Sequence, residues 1–330
     1  MNRVRPDEQT IRAALSLAVR APSVHNTQPW RFQIGDGAVH IYLDAARTLR
    51  ATDPDQRDAL VSCGAAIHHL RIAFASLGWS AVVHRLPDRS DPEHLAMLEL
   101  VRHRPTDTEI ALAEAISTRQ TDRRHFSSWP IPPGYLGLVS ERAAAQGGIV
   151  RRAANAARDC LVAAMYEAGR RHAGNSEYRL ELANWSGRQD TNDGVPSWTA
   201  PPPRAGQGIP TREFAGPLLV DPTNEPDYAE LLVLGTAYDD RPSRLAAGEA
   251  VSAVLLTAAN VGLATCLLTE PLEIPELRRR IRAGVLDNRA HPQAVIRIGW
   301  LPAGATRLPS APRRPIDELL DPFDSDRAAC

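Results

Sequence analysis

Three stretches of this chain gather polar side chains closely enough to act together. Residues 21–32 read APSVHNTQPWRF, placing Pro22, Ser23, His25, Asn26 and Gln28 where a helix gives way to a strand. A turn of that composition offers backbone amides and two side-chain amides at one place. That suits a planar heteroaromatic ring with alternating donors and acceptors. An ordinary capped turn, with Trp30 and Phe32 in the core, is the competing reading. Residues 119–126, RQTDRRHF, bring Arg119, Thr121, Arg123 and Arg124 together just after a helix. Guanidinium forks and a hydroxyl in one turn make a phosphate cradle; the alternative is a solvated basic loop. The third stretch is Arg313-Arg314, a pair that in isolation reads as solvated charge.

Other chemistries are ruled out. The chain has no lysine, so Schiff-base and P-loop lysine mechanisms are excluded. It has no GxSxG, HExxH, P-loop or GxGxxG motif. His68 and His69 sit side by side in a helical stretch, pointing about 100° apart, which does not favour one shared metal. His25 lies beside the turn with no assignable Asp partner. Cys63, Cys160, Cys266 and Cys330 lie far apart, which fits neither a zinc site nor a disulfide frame. A reduced, cytoplasmic compartment follows from that usage. The net charge of -1 provides no general attraction to nucleic acid or a membrane. The N-terminus does not read as a signal peptide, and no apolar run approaches the roughly 20 residues of a membrane span.

The elements that must position these residues follow from periodicity. Helices are expected over 7–20, 59–77, 107–118, 133–145 and 154–171. Strands are expected over 39–43, 81–86, 97–101, 218–221, 231–237 and 294–299, and residues 23–33 form a loop running into a strand. Residues 185–216 are rich in Gly, Pro and Ser, so they read as a long loop or lid that buries little. Two segments repeat. CGAAIHHLRIAFASLGWSAVV at 63–83 and AGEAVSAVLLTAANVGLATCL at 247–267 align without a gap, Gly64 on Gly248 and Gly78 on Gly262. Each is an apolar helix ended by Gly and followed by a short strand. One chain therefore holds two copies of one α+β fold, with expected halves 1–105 and 106–330.

Together these segments resemble the flavin-dependent nitroreductase family, and the double length resembles its Acg-type branch. APSxxNxQPWxF is similar to that family's turn against the flavin ring. RQTDRRHF is similar to its R-x-[ST]-x-R-x-x-F phosphate segment, AGEAVSAVLLTAANVGLATCLL to its central dimer helix and strand, and RIGWLPAGATRLPSAPRRPIDELL to its last strand and C-terminal phosphate contact. The resemblance implies mixed β-sheets flanked by helices, arranged as an intramolecular pseudo-dimer. Family members are homodimers holding FMN between subunits. Here the first half keeps the turn and the second keeps the phosphate segment, so one site survives.

That resemblance assigns FMN contacts to Pro22, Ser23, His25, Asn26, Gln28, Arg119, Gln120, Thr121, Arg123, Leu268, Thr269, Glu270 and Arg313, with no catalytic side chain and no metal. Ala311 stands where the family often has Lys. The loop at 268–271 lacks the usual Gly near the flavin N5. The implied activity is NAD(P)H-dependent reduction of a nitroaromatic or quinone-like acceptor through FMN. The alternative is a flavin-sequestering protein whose lid at 185–216 leaves little turnover. The implied assembly is a monomer or weak homodimer.

Overall fold

The computed structural model describes residues 5–35, 37–202 and 208–322. Helix α1 (Glu8–Ala18) starts where the Asp7 side chain accepts the Thr10 amide at 2.7 Å, and buries Ala14, Leu15 and Ala18. Strands β1 (Trp30–Gly35) and β2 (Ala38–Leu43) form a hairpin, followed by the long helix α2 (Arg57–Ser76). Strands β3 (Trp79–Arg85) and β4 (His94–Arg102) complete an antiparallel sheet of order β1-β2-β4-β3. Helix α3 (Asp107–Thr118) is set by a capping box, with Thr106 and Glu109 satisfying each other's backbone amides.

The second half repeats the plan with additions. Helix α4 (Pro133–Ala144), β5 (Ile149–Ala153), α5 (Ala156–Ala173) and α6 (Ser176–Asn184) come first. Short strands β6 (Ser186–Arg188) and β7 (Val195–Pro196) pair with each other within the lid. Then follow β8 (Glu230–Thr236), α7 (Arg241–Asn260), β9 (Ala264–Leu268), α8 (Glu270–Glu273), α9 (Pro275–Gly284) and β10 (His291–Gly299). The second sheet runs β5-β8-β10-β9. Its order matches the first sheet strand for strand, with α7 in the place of α2 and α4 in the place of α1.

The repeated helices pack on each other at the centre. A Cβ on Gly64 would sit on the Leu245 carbonyl oxygen, and a Cβ on Gly248 would sit on that of Val61. These clashes are mirror partners, as across the two-fold axis of a homodimer. His68 Nδ1 lies 2.8 Å from Ser252 Oγ across the same contact. Helix α2 is long and apolar enough in composition to cross a membrane, which the sequence reading missed, but 83% of that window is buried in the core. The chain end returns to the first half: the Phe32 amide donates to the Leu319 carbonyl, and the Asp321 amide to the Phe32 carbonyl.

Three expectations fail. Residues 218–221 form no strand; they cross the surface, with Leu218 and Val220 exposed. β5, α6, α8 and α9 were not foreseen: the first three are brief and carry little periodicity, whereas α9 opens on Pro275 and buries only Leu277 and Ile281 along an otherwise Arg-rich stretch. The lid is better buried than its composition suggests: Gly194 to Ser197, Thr199 and Ala200 are all buried.

Candidate functional site

The turn after α1 is held in a costly shape. His25, Asn26 and Gln28 all have positive φ (47°, 55° and 52°), each a conformation costing a non-glycine residue on the order of 1 kcal/mol. Neighbours hold it there. Ser23 Oγ accepts the Gln28 amide at 3.0 Å, and the Val24 amide donates to Ser62 Oγ of α2 at 3.2 Å. Gln28 faces away from the cavity. Its side chain donates to the Asn192 carbonyl at 2.9 Å and accepts the Arg314 amide at 2.9 Å. The expected cofactor contact is therefore a bolt joining turn, lid and tail, because Gln28 is wholly buried behind the turn. Asn26 lines the cavity, but its side-chain amide donates to the carbonyls of Gly194 (3.0 Å) and Pro312 (3.2 Å).

The arginines come from the other half. The segment after α3 is fixed by a Thr121–Thr265 bridge, with the Asp122 amide donating to the Thr265 carbonyl at 2.9 Å. Arg124 turns back onto Asp122 at 2.6 Å and leaves the site. Arg119 and Arg313 converge on the C-terminal end of α1. Arg313 donates to the Val19 carbonyl at 2.8 Å, and Arg119 to that of Arg20 at 3.3 Å. Both guanidinium groups are pushed below their ordinary range, first by burial and then by a like-charged neighbour, Arg20 beside Arg119 and Arg119 beside Arg313. Arg119 Nε is buried with no hydrogen-bond partner. Among the described residues, neither makes an ion pair with a carboxylate. Arg314, the neighbour in sequence, instead faces Asp44 at 3.5 Å.

These pieces enclose one cavity of two lobes that share Pro22, Ser23, His25, Thr121 and Arg123. The outer lobe, about 730 Å³ with its open mouth, adds Asn26, Arg119, Gln120 and Arg313. The inner lobe, about 830 Å³ with its own opening to solvent, adds Leu268, Thr269 and Glu270. So twelve of the thirteen expected residues line it, all except Gln28.

The lid roofs the cavity. Val195, Pro196 and Thr199 line the outer lobe; Thr211, Arg212 and Phe214 line the inner one. Arg123 donates to the Thr199 carbonyl at 3.0 Å and stacks over Phe214 at 4.6 Å. Arg212 pairs with Glu273 and reaches the His25 ring at 3.0 Å. Burial, then the charge of Arg212, keeps His25 well below its usual range, so the ring is neutral. Trp185 does not face the cavity; Arg47 and Arg188 stack on it at 5.3 and 5.0 Å. Sequence reasoning missed Arg20, Asp58, Ser62, Arg212 and Phe214, whose roles depend on partners far along the chain. The adjacent histidines are buried at the α2–α7 contact, where His68 Nδ1 lies 2.8 Å from Ser252 Oγ and His69 Nδ1 3.0 Å from the Ala65 carbonyl; no group of three metal-ligating side chains occurs among the described residues.

The fold and cavity define a class, and similarity agrees: the chain belongs to the nitroreductase family, in its double-length Acg-type branch. Over 324 residues it is 45% identical to "Putative NAD(P)H nitroreductase Rv3131" of Mycobacterium tuberculosis (strain H37Rv), covering 97% of this chain and 94% of that one. Over 319 residues it is 36% identical to "Putative NAD(P)H nitroreductase acg" of the same organism, covering 94% and 95%. No protein-family model matches. Among solved structures, a nitroreductase with bound FMN from Bacteroides fragilis is 14% identical, covering 59% of this chain and 90% of that one, with a TM-score of 0.36.

Proposed function

We propose that this chain binds one FMN in the two-lobed cavity and acts as an NAD(P)H-dependent oxidoreductase. One observation carries the reading: Arg119 and Arg313 are buried cations that line a single cavity, held by backbone carbonyls and without a carboxylate partner among the described residues. An unpaired buried charge is costly, and a phosphate dianion supplies the missing counter-charge. The donor set fits the group. Arg119 and Arg313, with Gln120 and Thr121, would hold the phosphate. Pro22, Ser23, His25 and Asn26 would flank the ring from the first half, and Leu268, Thr269 and Glu270 from the second. In this reading the halves 1–105 and 106–330 stand as two copies that build one site between them.

When bound, FMN supplies the hydride chemistry between a reduced nicotinamide and a nitroaromatic or quinone-like acceptor. The protein's own residues anchor, orient and dry the site. The strained turn fixes one wall, and Arg212 and Phe214 close the roof against water. Protein incubated with FMN and desalted should release flavin on acid treatment at no more than one per chain. No retained flavin, or a ratio near two, overturns the reading.

A second reading, flavin sequestration with little turnover, is favoured by the roof itself. Arg212 on Glu273, Arg47 on Asp193 and Arg123 on Thr199 pin the lid from both halves. Mixing the loaded protein with NADPH under nitrogen decides between them: prompt bleaching supports the oxidoreductase, and none supports the store.

A further inference from the structure

The inner lobe carries a carboxyl group that the foregoing reading leaves without a role. Asp58 stands in the first turn of α2, is 6% exposed, and lines the lobe beside Ser62, Thr269 and Glu270. Its Oδ2 is buried with no hydrogen-bond partner. A first-turn acid commonly serves its own helix terminus. Here Asp53 does that instead, accepting the Ala59 amide at 2.8 Å. The Thr269 hydroxyl on the facing loop donates to Glu273 at 2.9 Å, and hydrogen bonding by Thr269 to Asp58 draws that carboxyl down against the effect of burial.

Charged groups surround Asp58. Arg57, next to it on α2, is engaged by Asp239 and Gln293. Arg212 of the lid is paired with Glu273, and Glu270 lies 3.9 Å from the same guanidinium. Asp53 stands behind, its own carboxyl pushed up to about 8 by burial and then by the charge of Asp58, and His25 across the lobe is neutral. Burial first, then the charge of Glu273, pushes the Asp58 carboxyl up to about 6. A carboxylic acid in that range keeps its proton in mild acid and yields it near neutrality, as a proton donor must.

We propose that Asp58 is the hydrogen-bond and proton donor to a carbonyl or nitro oxygen bound in the inner lobe. The proposal rests on the FMN reading. Two-electron reduction of a quinone to its hydroquinone takes one hydride, from the reduced flavin, and one proton. Asp58 gives that proton to the acceptor oxygen, becomes a carboxylate, and regains the proton from solvent.

The test uses acetophenone, an uncharged carbonyl compound that reduced flavin leaves intact, with binding measured by calorimetry on the full-length protein. The wild type should bind it about tenfold more tightly near pH 5 than near pH 8, since a donor becomes a repelling acceptor. Asp58→Asn should bind it without a pH step, near the low-pH affinity, because the amide still donates. Glu270→Gln, at the wall that would flank the ring, should shift the affinity at both pH values and keep the step between them. A wild-type profile flat with pH, or a step that survives Asp58→Asn, overturns the proposal. If Asp58→Asn does not fold, the wild-type and Glu270→Gln profiles decide: loss of the step in Glu270→Gln moves the donor to Glu270. Flavin content, read separately by absorbance, judges the cofactor reading on its own.

Discussion

Arg119 is a cation with one backbone carbonyl, that of Arg20, for company and no counter-ion among the described residues, so its surroundings favour an incoming anion. Charge-assisted contacts of this kind contribute roughly 1.5–3 kcal/mol. Arg119→Ala should therefore weaken FMN binding about tenfold or more while leaving riboflavin, which lacks the phosphate, nearly unchanged. Equal losses for both ligands would show an effect through folding. His68 makes a different prediction. Burial holds its pKa at about 3, against an ordinary value of 6.5. As pH falls below about 6.5 the unfolded chain binds a proton there and the folded chain does not, so stability drops. His68→Asn removes that penalty. Its Tm relative to the wild type should climb as pH falls from about 6.5 toward 4; a constant offset refutes the argument. At this scale composition marked the turn and the Arg segments as polar clusters that an ordinary turn or a solvated loop explains equally well. It was their joint resemblance to one family that made them a candidate site; twelve of the thirteen residues so assigned line the cavity. Arg212, Asp58 and the true task of Gln28 were not legible in the sequence. Each acts through a partner many residues away, and no local spacing reveals such a pair.

At the scale of elements, the contact between α2 and α7 leaves no room for a single methyl group on either facing glycine. Gly64→Ala and Gly248→Ala should each destabilise the protein by about 3 kcal/mol or prevent folding. Gly134→Ala, where a Cβ meets nothing, should stay within about 0.5 kcal/mol; denaturant melts compare the three. The duplication was readable because both copies kept apolar periodicity and a terminal glycine. The lid was misjudged because its order comes from elsewhere: Asn26, Gln28 and Arg123 satisfy its backbone carbonyls at Gly194, Asn192 and Thr199. Composition reports what a segment can bury, not which distant side chains will hold it. Replacing residues 190–208 with a brief Gly-Ser linker should speed reduction by NADPH and loosen FMN together. Fast reduction of the intact protein, unaltered by the replacement, would remove the gating role.

On the scale of the whole molecule, the two halves are unequal copies. The counterpart of the long turn between α1 and β1 is the short link between α4 and β5, where a Cβ on Gly148 would strike the Ala250 side chain. Among the described residues that short link forms no second ring-facing turn, and the protein should hold a single flavin. The turn, the arginine segment, the β9 loop and the Arg313 tail that would receive it are spread over nearly the whole chain.

The chain end that straps onto β1 gives this spread a further meaning. A site divided between separate subunits falls apart on dilution, because its halves must find each other. Here both walls belong to one covalent thread, at a fixed effective concentration. Flavin retention should not depend on protein concentration. It should also appear only once the segment carrying Arg313 has been made, so that a bound cofactor reports that both walls are in place.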